Sequence, residues 1–119
     1  MPPNSQEAPI AGLRLETRTQ GDDTIIRCTG RLSIENAEVF KSQGKAAILR
    51  SKRIVLDLGE VDRMDSAGLG ALVGLYVSAR KAQCEFLLIN YSKPVRDLLG
   101  IAHLLSVFET CVQAGLRFP

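Results

Sequence analysis

The residues with the most obvious chemical potential lie together in VDRMDSAGLGALVG, residues 61–74. Here Asp65-Ser66 precedes three glycines, Gly68, Gly70 and Gly74, spread through what reads as a helix. Each glycine in a helix interior costs about 1 kcal/mol relative to alanine, so the cluster calls for a use. A hydroxyl beside a carboxylate suggests a catalytic turn, a phosphate cradle, a phosphorylation site or a plain helix cap.

A nucleophilic serine of the hydrolase type needs G-x-S-x-G. The frame here is Met64-Asp65-Ser66-Ala67-Gly68, so the first glycine is missing. The single histidine, His103, sits in GIAHLL beside a predicted helix end, where a surface role is commoner than catalysis. A dinucleotide loop G-x-G-x-x-G would need glycine at position 73, which is Val73, and no G-K-[ST] follows. A phospho-accepting receiver domain is the stronger enzymatic rival, because Asp57 ends a strand and Lys93-Pro94 follows a later one. Its magnesium site needs an acidic pair at the end of the first strand, yet Asp22-Asp23 reads as a hairpin turn. The stretch from Asp57 to Lys93 is also too short for the two further strand–helix units of that fold. Cys28, Cys84 and Cys111 show no C-x-x-C spacing, which argues against zinc and against a disulfide framework. Cys28, in an apolar run, is expected to pack as a small hydrophobe. We therefore expect no catalytic residue, no metal and no cofactor.

Modification of Ser66 by another protein has physical grounds. The first turn after it, Ala67-Gly68-Leu69-Gly70, carries no Asp or Glu. A helix start of that kind presents N–H groups and a positive dipole end that tolerate a phosphate. Asp65 opposes this, since a dianionic phosphate beside a carboxylate is repelled. With no side chains at 68 and 70, the turn also lies open to close approach by another backbone. The competing reading is a plain N-cap at Asp65 or Ser66, with glycines that let the helix pack close to a sheet. The residues themselves leave both readings open.

The elements that must position this segment follow from periodicity. The chain has 119 residues, one domain's worth, with 45% hydrophobic and 24% charged residues. Its 15 Lys and Arg against 13 Asp and Glu give a net charge of +2, scattered rather than clustered, which argues against nucleic acid. The first residues, 1–11, have neither a basic start nor an apolar run and read as a disordered leader rather than a secretion signal. No stretch has the length of a membrane span. Free thiols fit a reducing cytoplasm. LRLETRT (13–19) and TIIRCTG (24–30), joined at GDD (21–23), predict an antiparallel hairpin ended by Gly30. Ser33 is the expected cap of a helix that buries Ala37, Phe40, Gly44, Ala47 and Ile48. RIVLDLGEV (53–61) and EFLLINY (85–91) read as buried strands. The helix between them, 66–83, is expected to turn Leu69, Leu72, Val73 and Tyr76 inward. SKPVRDLLG is a short helix with Ser92 as cap and Gly100 as stop, and 104–109 is a last short strand. The order implies a single α/β domain over 12–119, with a mixed, mostly parallel sheet, an N-terminal antiparallel hairpin and helices mainly on one side.

DLGEVDRMDSAGLGALVGLYVSARK resembles the core of the STAS domain family, whose best-known members are bacterial anti-sigma factor antagonists. The family signature is a buried strand, a short loop, then D-S-[ST]-G-L-G opening a helix; here it reads Asp65-Ser66-Ala67-Gly68-Leu69-Gly70. TGRLS and KPVRDLLGIAHLLSVFE extend the likeness across residues 13–110. The resemblance implies a non-enzymatic cytoplasmic regulator that binds an anti-sigma factor with serine kinase activity and so frees a sigma factor. Phosphorylation of Ser66 would break the complex, and a PP2C-type phosphatase would restore it. Asp65, Ala67, Gly68, Leu69 and Gly70 would then line the contact, with Arg31, Leu32 and Ser33 next to it. Two departures stand out: Ala67 replaces the usual second hydroxyl, and Arg31 and Ser33 stand where many antagonists carry acidic residues. STAS proteins attached to lipid-transport ATPases share D-[ST]-A-G-L, which gives the second reading.

Overall fold

The computed structural model describes residues 5–104. Alternating residues make the strand β2 (Leu13–Gln20), and β3 (Asp23–Leu32) carries Ile25 and Ile26 into the clusters on its two faces. They pair antiparallel about the 21–22 turn, as the hairpin reading expects. Helix α1 (Ala37–Leu49) crosses to β4 (Arg53–Met64), and α2 (Ser66–Lys81) crosses to β5 (Glu85–Tyr91), so β3, β4 and β5 run parallel. Helix α3 (Lys93–Ile101) follows directly. Its first turn carries Pro94, and Ser92 Oγ donates to the Val61 carbonyl. The helix runs through Gly100, which therefore does not stop it. The strand expected at 104–109 lies, beyond Leu104, outside the described residues, as does Cys111.

Residues 5–10, expected to be disordered, form a further strand, β1 (Ser5–Ile10), antiparallel to β2. Ala11 (φ +27°) and Gly12 (φ +86°) make a two-residue turn whose twist suits a hairpin. The open edge of β2 then supplies backbone partners whatever the composition of the leader. The five strands lie in the order β1-β2-β3-β4-β5. Two strand pairings are antiparallel, those of the N-terminal strands, and two parallel, so the sheet is mixed.

The main core sits between one sheet face and the three helices. Leu15, Cys28, Leu56, Leu58 and Leu88 from the strands meet Phe40, Leu72, Leu75 and Leu99 from the helices. Helix α1 buries Ala37, Phe40, Gly44, Ala47 and Ile48, the expected five. Helix α2 buries Gly68, Ala71, Leu72, Leu75 and Ala79, while Leu69, Val73 and Tyr76 are only partly buried against the core. Its apolar arc is rotated from the expected one because α2 packs against α1 as well as the sheet: Leu75 fills the space beside Gly44, and Lys41 lies over Gly74. On the opposite sheet face, Ile25, Val55, Leu87 and Ile89 form a second, smaller cluster. Burial in the main core pushes the Cys28 thiol far up, as befits a packing residue.

Candidate functional site

The site forms where β3 and β4 both hand over to helices. Leu32 and Met64 are register partners at the ends of these parallel strands. That pairing sets residues 31–36 beside residues 64–70. The Asp65 N–H donates to the Leu32 carbonyl (3.3 Å) and continues the strand contact by one residue.

The loop that leaves β3 is held from several sides. β3 does not end at Gly30; it passes through it at φ +113°, where a Cβ would lie 2.2 Å from the Gly12 carbonyl oxygen. The Arg31 N–H donates to that same oxygen (3.1 Å). The N-cap position of the first helix is Asn36 rather than Ser33, and its side chain bonds to the preceding loop instead of to the helix's own N–H groups. Asn36 is buried. Its Oδ1 accepts from the Ser33 N–H (3.0 Å), and its Nδ2 donates to the carbonyls of Ala11 (2.9 Å) and Arg31 (3.0 Å). The amide thus ties three chain segments, and it cannot be replaced by the shorter serine, whose hydroxyl lacks that reach and that many bonds.

Asp65 is the N-cap of α2, as one of the two sequence readings has it. Its Oδ1 accepts from the Gly68 N–H (2.9 Å) and its Oδ2 from the Ile34 N–H (3.0 Å). A single carboxylate therefore joins the start of α2 to the loop after β3. The Gly68 N–H, chiefly, and then those of Ile34 and Ala67 hold the Asp65 carboxyl below its ordinary range. The first turn of α2 contains no acidic residue. Of its donors, the Gly68 N–H is already taken by Asp65 Oδ1 and so is not free for a phosphate. A phosphoryl group on Ser66 would add its charge beside a carboxylate that stays ionised.

The expected contact residues divide by exposure. Ser66 is exposed and Gly70 is exposed. Arg31 keeps 43% of its side chain in solvent, paired at 3.4 Å with Glu35. Ala67 and Leu69 are half-buried against the core. Leu32 is wholly buried and Ser33 nearly so, so neither offers a side chain to a partner; they act through the backbone instead. Gly68 is buried too: a Cβ there would stand 2.3 Å from the Leu32 carbonyl oxygen. At Gly70 an added Cβ meets nothing within 4 Å. The two motif glycines therefore serve different ends, Gly68 the close approach of α2 to β3 and Gly70 an open surface. Ile34, which the sequence reading passed over, is 78% exposed, and its N–H is the one bonded to Asp65 Oδ2. The sequence signal available for it was an isoleucine amid the polar run between β3 and α1.

The enzymatic rivals find no support in this geometry. Asp57 is buried, and its Oδ1 already accepts from the Gly59 N–H (3.0 Å) and Asn90 Nδ2 (3.2 Å). Lys93 pairs with Asp97 at 2.8 Å, and Asp23 with Arg53 at the far end of the sheet. Asp57 is thus a structural carboxylate rather than a receiver's phospho-acceptor. His103 is exposed just after α3, at φ +59°. No helix among the described residues is long and apolar enough to cross a membrane.

Comparison with known proteins agrees with this fold. BtrV of Bordetella bronchiseptica is 33% identical over 89 residues, covering 73% of this chain and 77% of its own. An anti-sigma F factor antagonist of Paenibacillus polymyxa is 29% identical over 107 residues, covering 86% and 92%. In three dimensions the chain resembles the Bacillus cell fate determinant SpoIIAA in its phosphorylated form, at a TM-score of 0.62 and 18% identity, covering 92% and 88% of the two chains. The unphosphorylated form of SpoIIAA superposes at the same TM-score, 0.62. At such identities the likeness is one of fold. The family model for the STAS domain matches residues 14–114, which is most of the sequence, and this chain belongs to the STAS domain family.

Proposed function

We propose that this protein is an anti-sigma factor antagonist: it binds an anti-sigma factor with serine kinase activity, frees a sigma factor, and is switched off by phosphorylation of Ser66. It acts by binding rather than by catalysis, in the cytoplasm, and a PP2C-type phosphatase resets it. The observation that carries the reading is the exposed Ser66 hydroxyl at the start of α2, next to a carboxylate already committed to the local backbone. A phosphate there adds a charge of about −1.5 to −2 beside Asp65, on the surface that would face the partner. Relatives described as anti-sigma factor antagonists support this reading over an accessory role on a lipid-transport ATPase. Ala67 leaves Ser66 as the only hydroxyl in the motif.

The test combines capture and labelling. A pull-down from the native host should return a serine-kinase anti-sigma factor; a transport ATPase as the main partner would sink the reading. The purified kinase with ATP should add one phosphate to the wild type and none to Ser66→Ala. Labelling that persists in Ser66→Ala removes Ser66 from the mechanism.

A further inference from the structure

Ile34 is a large apolar side chain left 78% in water, in the loop whose backbone is bonded to the Asp65 carboxylate. Its loop is not loose. The Ser33 N–H is held by Asn36 Oδ1, the Ile34 N–H by Asp65 Oδ2, and the Asn36 N–H by the Ser33 carbonyl (3.0 Å). The backbone that carries Ile34 is therefore fixed relative to Ser66 by the same carboxylate that caps α2. Presenting a rigid, β-branched apolar group costs a complex little ordering entropy. In the same loop the exposed Arg31 and Glu35 form an ion pair, and the carboxylate that holds the Ile34 N–H also caps the helix that carries Gly70. That is the arrangement of an anchor with a polar rim.

We propose that Ile34 is the apolar anchor of the docking face and enters an apolar pocket on the protein that binds the start of α2. This rests on the partner-binding reading given above and names the residue that sets the choice of partner within it. The Asp65 bridge forces the partner to engage the Ile34 loop and Ser66 together. A partner with a polar or charged group opposite Ile34 is rejected, because that group would be desolvated without a counterpart.

Two equally exposed apolar residues serve as controls. Leu49 (85% exposed) closes α1, about 20 Å along the axis from its first residue. Ile101 (76% exposed) closes α3. The experiment titrates the purified serine-kinase anti-sigma factor of the same host into wild type, Ile34→Ala, Leu49→Ala and Ile101→Ala, with thermal unfolding of each. Ile34→Ala should unfold like the wild type and bind at least about fivefold more weakly, with both controls binding as the wild type does. A loss smaller than about fivefold, or an equal loss in either control, overturns the anchor while leaving the function in place. A folded wild type that does not bind the kinase overturns the function, and the anchor with it.

Discussion

Replacing Gly70 by alanine separates folding from docking, because the two effects carry opposite signs. Gly70 lies in the helical part of α2, and a Cβ placed there meets no atom within 4 Å. Nothing in the fold requires glycine at this position. Alanine removes backbone entropy from the unfolded chain and improves helix propensity, together about 0.5–1 kcal/mol in favour of the native state. For a domain of this size that raises the melting temperature by roughly 2–6 °C. The docked state should respond the other way. If a partner backbone lies against the open turn, the added methyl group must be accommodated in a packed contact, which costs about 1–3 kcal/mol. That corresponds to roughly a 5- to 150-fold loss of affinity. Thermal and urea unfolding by circular dichroism read the first effect, with the urea slope unchanged. Calorimetric titration with the serine-kinase anti-sigma factor reads the second. A Gly70→Ala protein that is less stable refutes the open geometry at this position. One that is more stable yet binds as tightly as the wild type refutes the close approach of the partner.

The same substitution two residues earlier should behave differently: in Gly68→Ala the Cβ would stand 2.3 Å from the Leu32 carbonyl oxygen, so we expect a net loss of about 1–3 kcal/mol in urea unfolding despite the helix gain, and an unchanged stability would contradict the close strand–helix contact. Asp65→Asn should be less stable than the wild type at pH 7. Because hydrogen bonds to Gly68 and Ile34 lower the folded-state pKa of Asp65, its contribution is fully present above the unfolded value of about 3.9 and fades as pH falls through the lower folded value. The gap between the two proteins in unfolding midpoint should therefore close below about pH 4; a gap that is the same at pH 7 and pH 3 would show that the carboxylate charge contributes nothing.

Much of the fold was legible in the chain because its signals are local. Alternation marked β2, the turn signal at 21–23 marked its hairpin to β3, unbroken apolar runs marked β4 and β5, and the spacing of Ala37, Phe40, Gly44, Ala47 and Ile48 marked the inner face of α1. The cap of α2 was narrowed to Asp65 or Ser66 for the same reason, since the bonded Asp65 and Gly68 are three residues apart. β1 was not, because a strand that borrows an existing edge needs backbone partners more than it needs an apolar pattern. The Asn36 cap was missed because its worth lies in bonds to Ala11 and Arg31, the first of them 25 residues away.

At the site, sequence alone determined the chemistry: one hydroxyl, one carboxylate, a first turn without acids, and two glycines. Tertiary structure decided what each of these is for. It separated Gly68, pressed against the Leu32 carbonyl, from Gly70, which faces open space. It buried the side chains of Leu32 and Ser33 and left that of Ile34 exposed next to them. The reason is that Asp65 Oδ2 and the Ile34 N–H are 31 residues apart in the chain and meet only because β3 and β4 end in register. Composition and spacing specify which groups a helix start carries, whereas exposure and reach depend on what the neighbouring strand brings beside it.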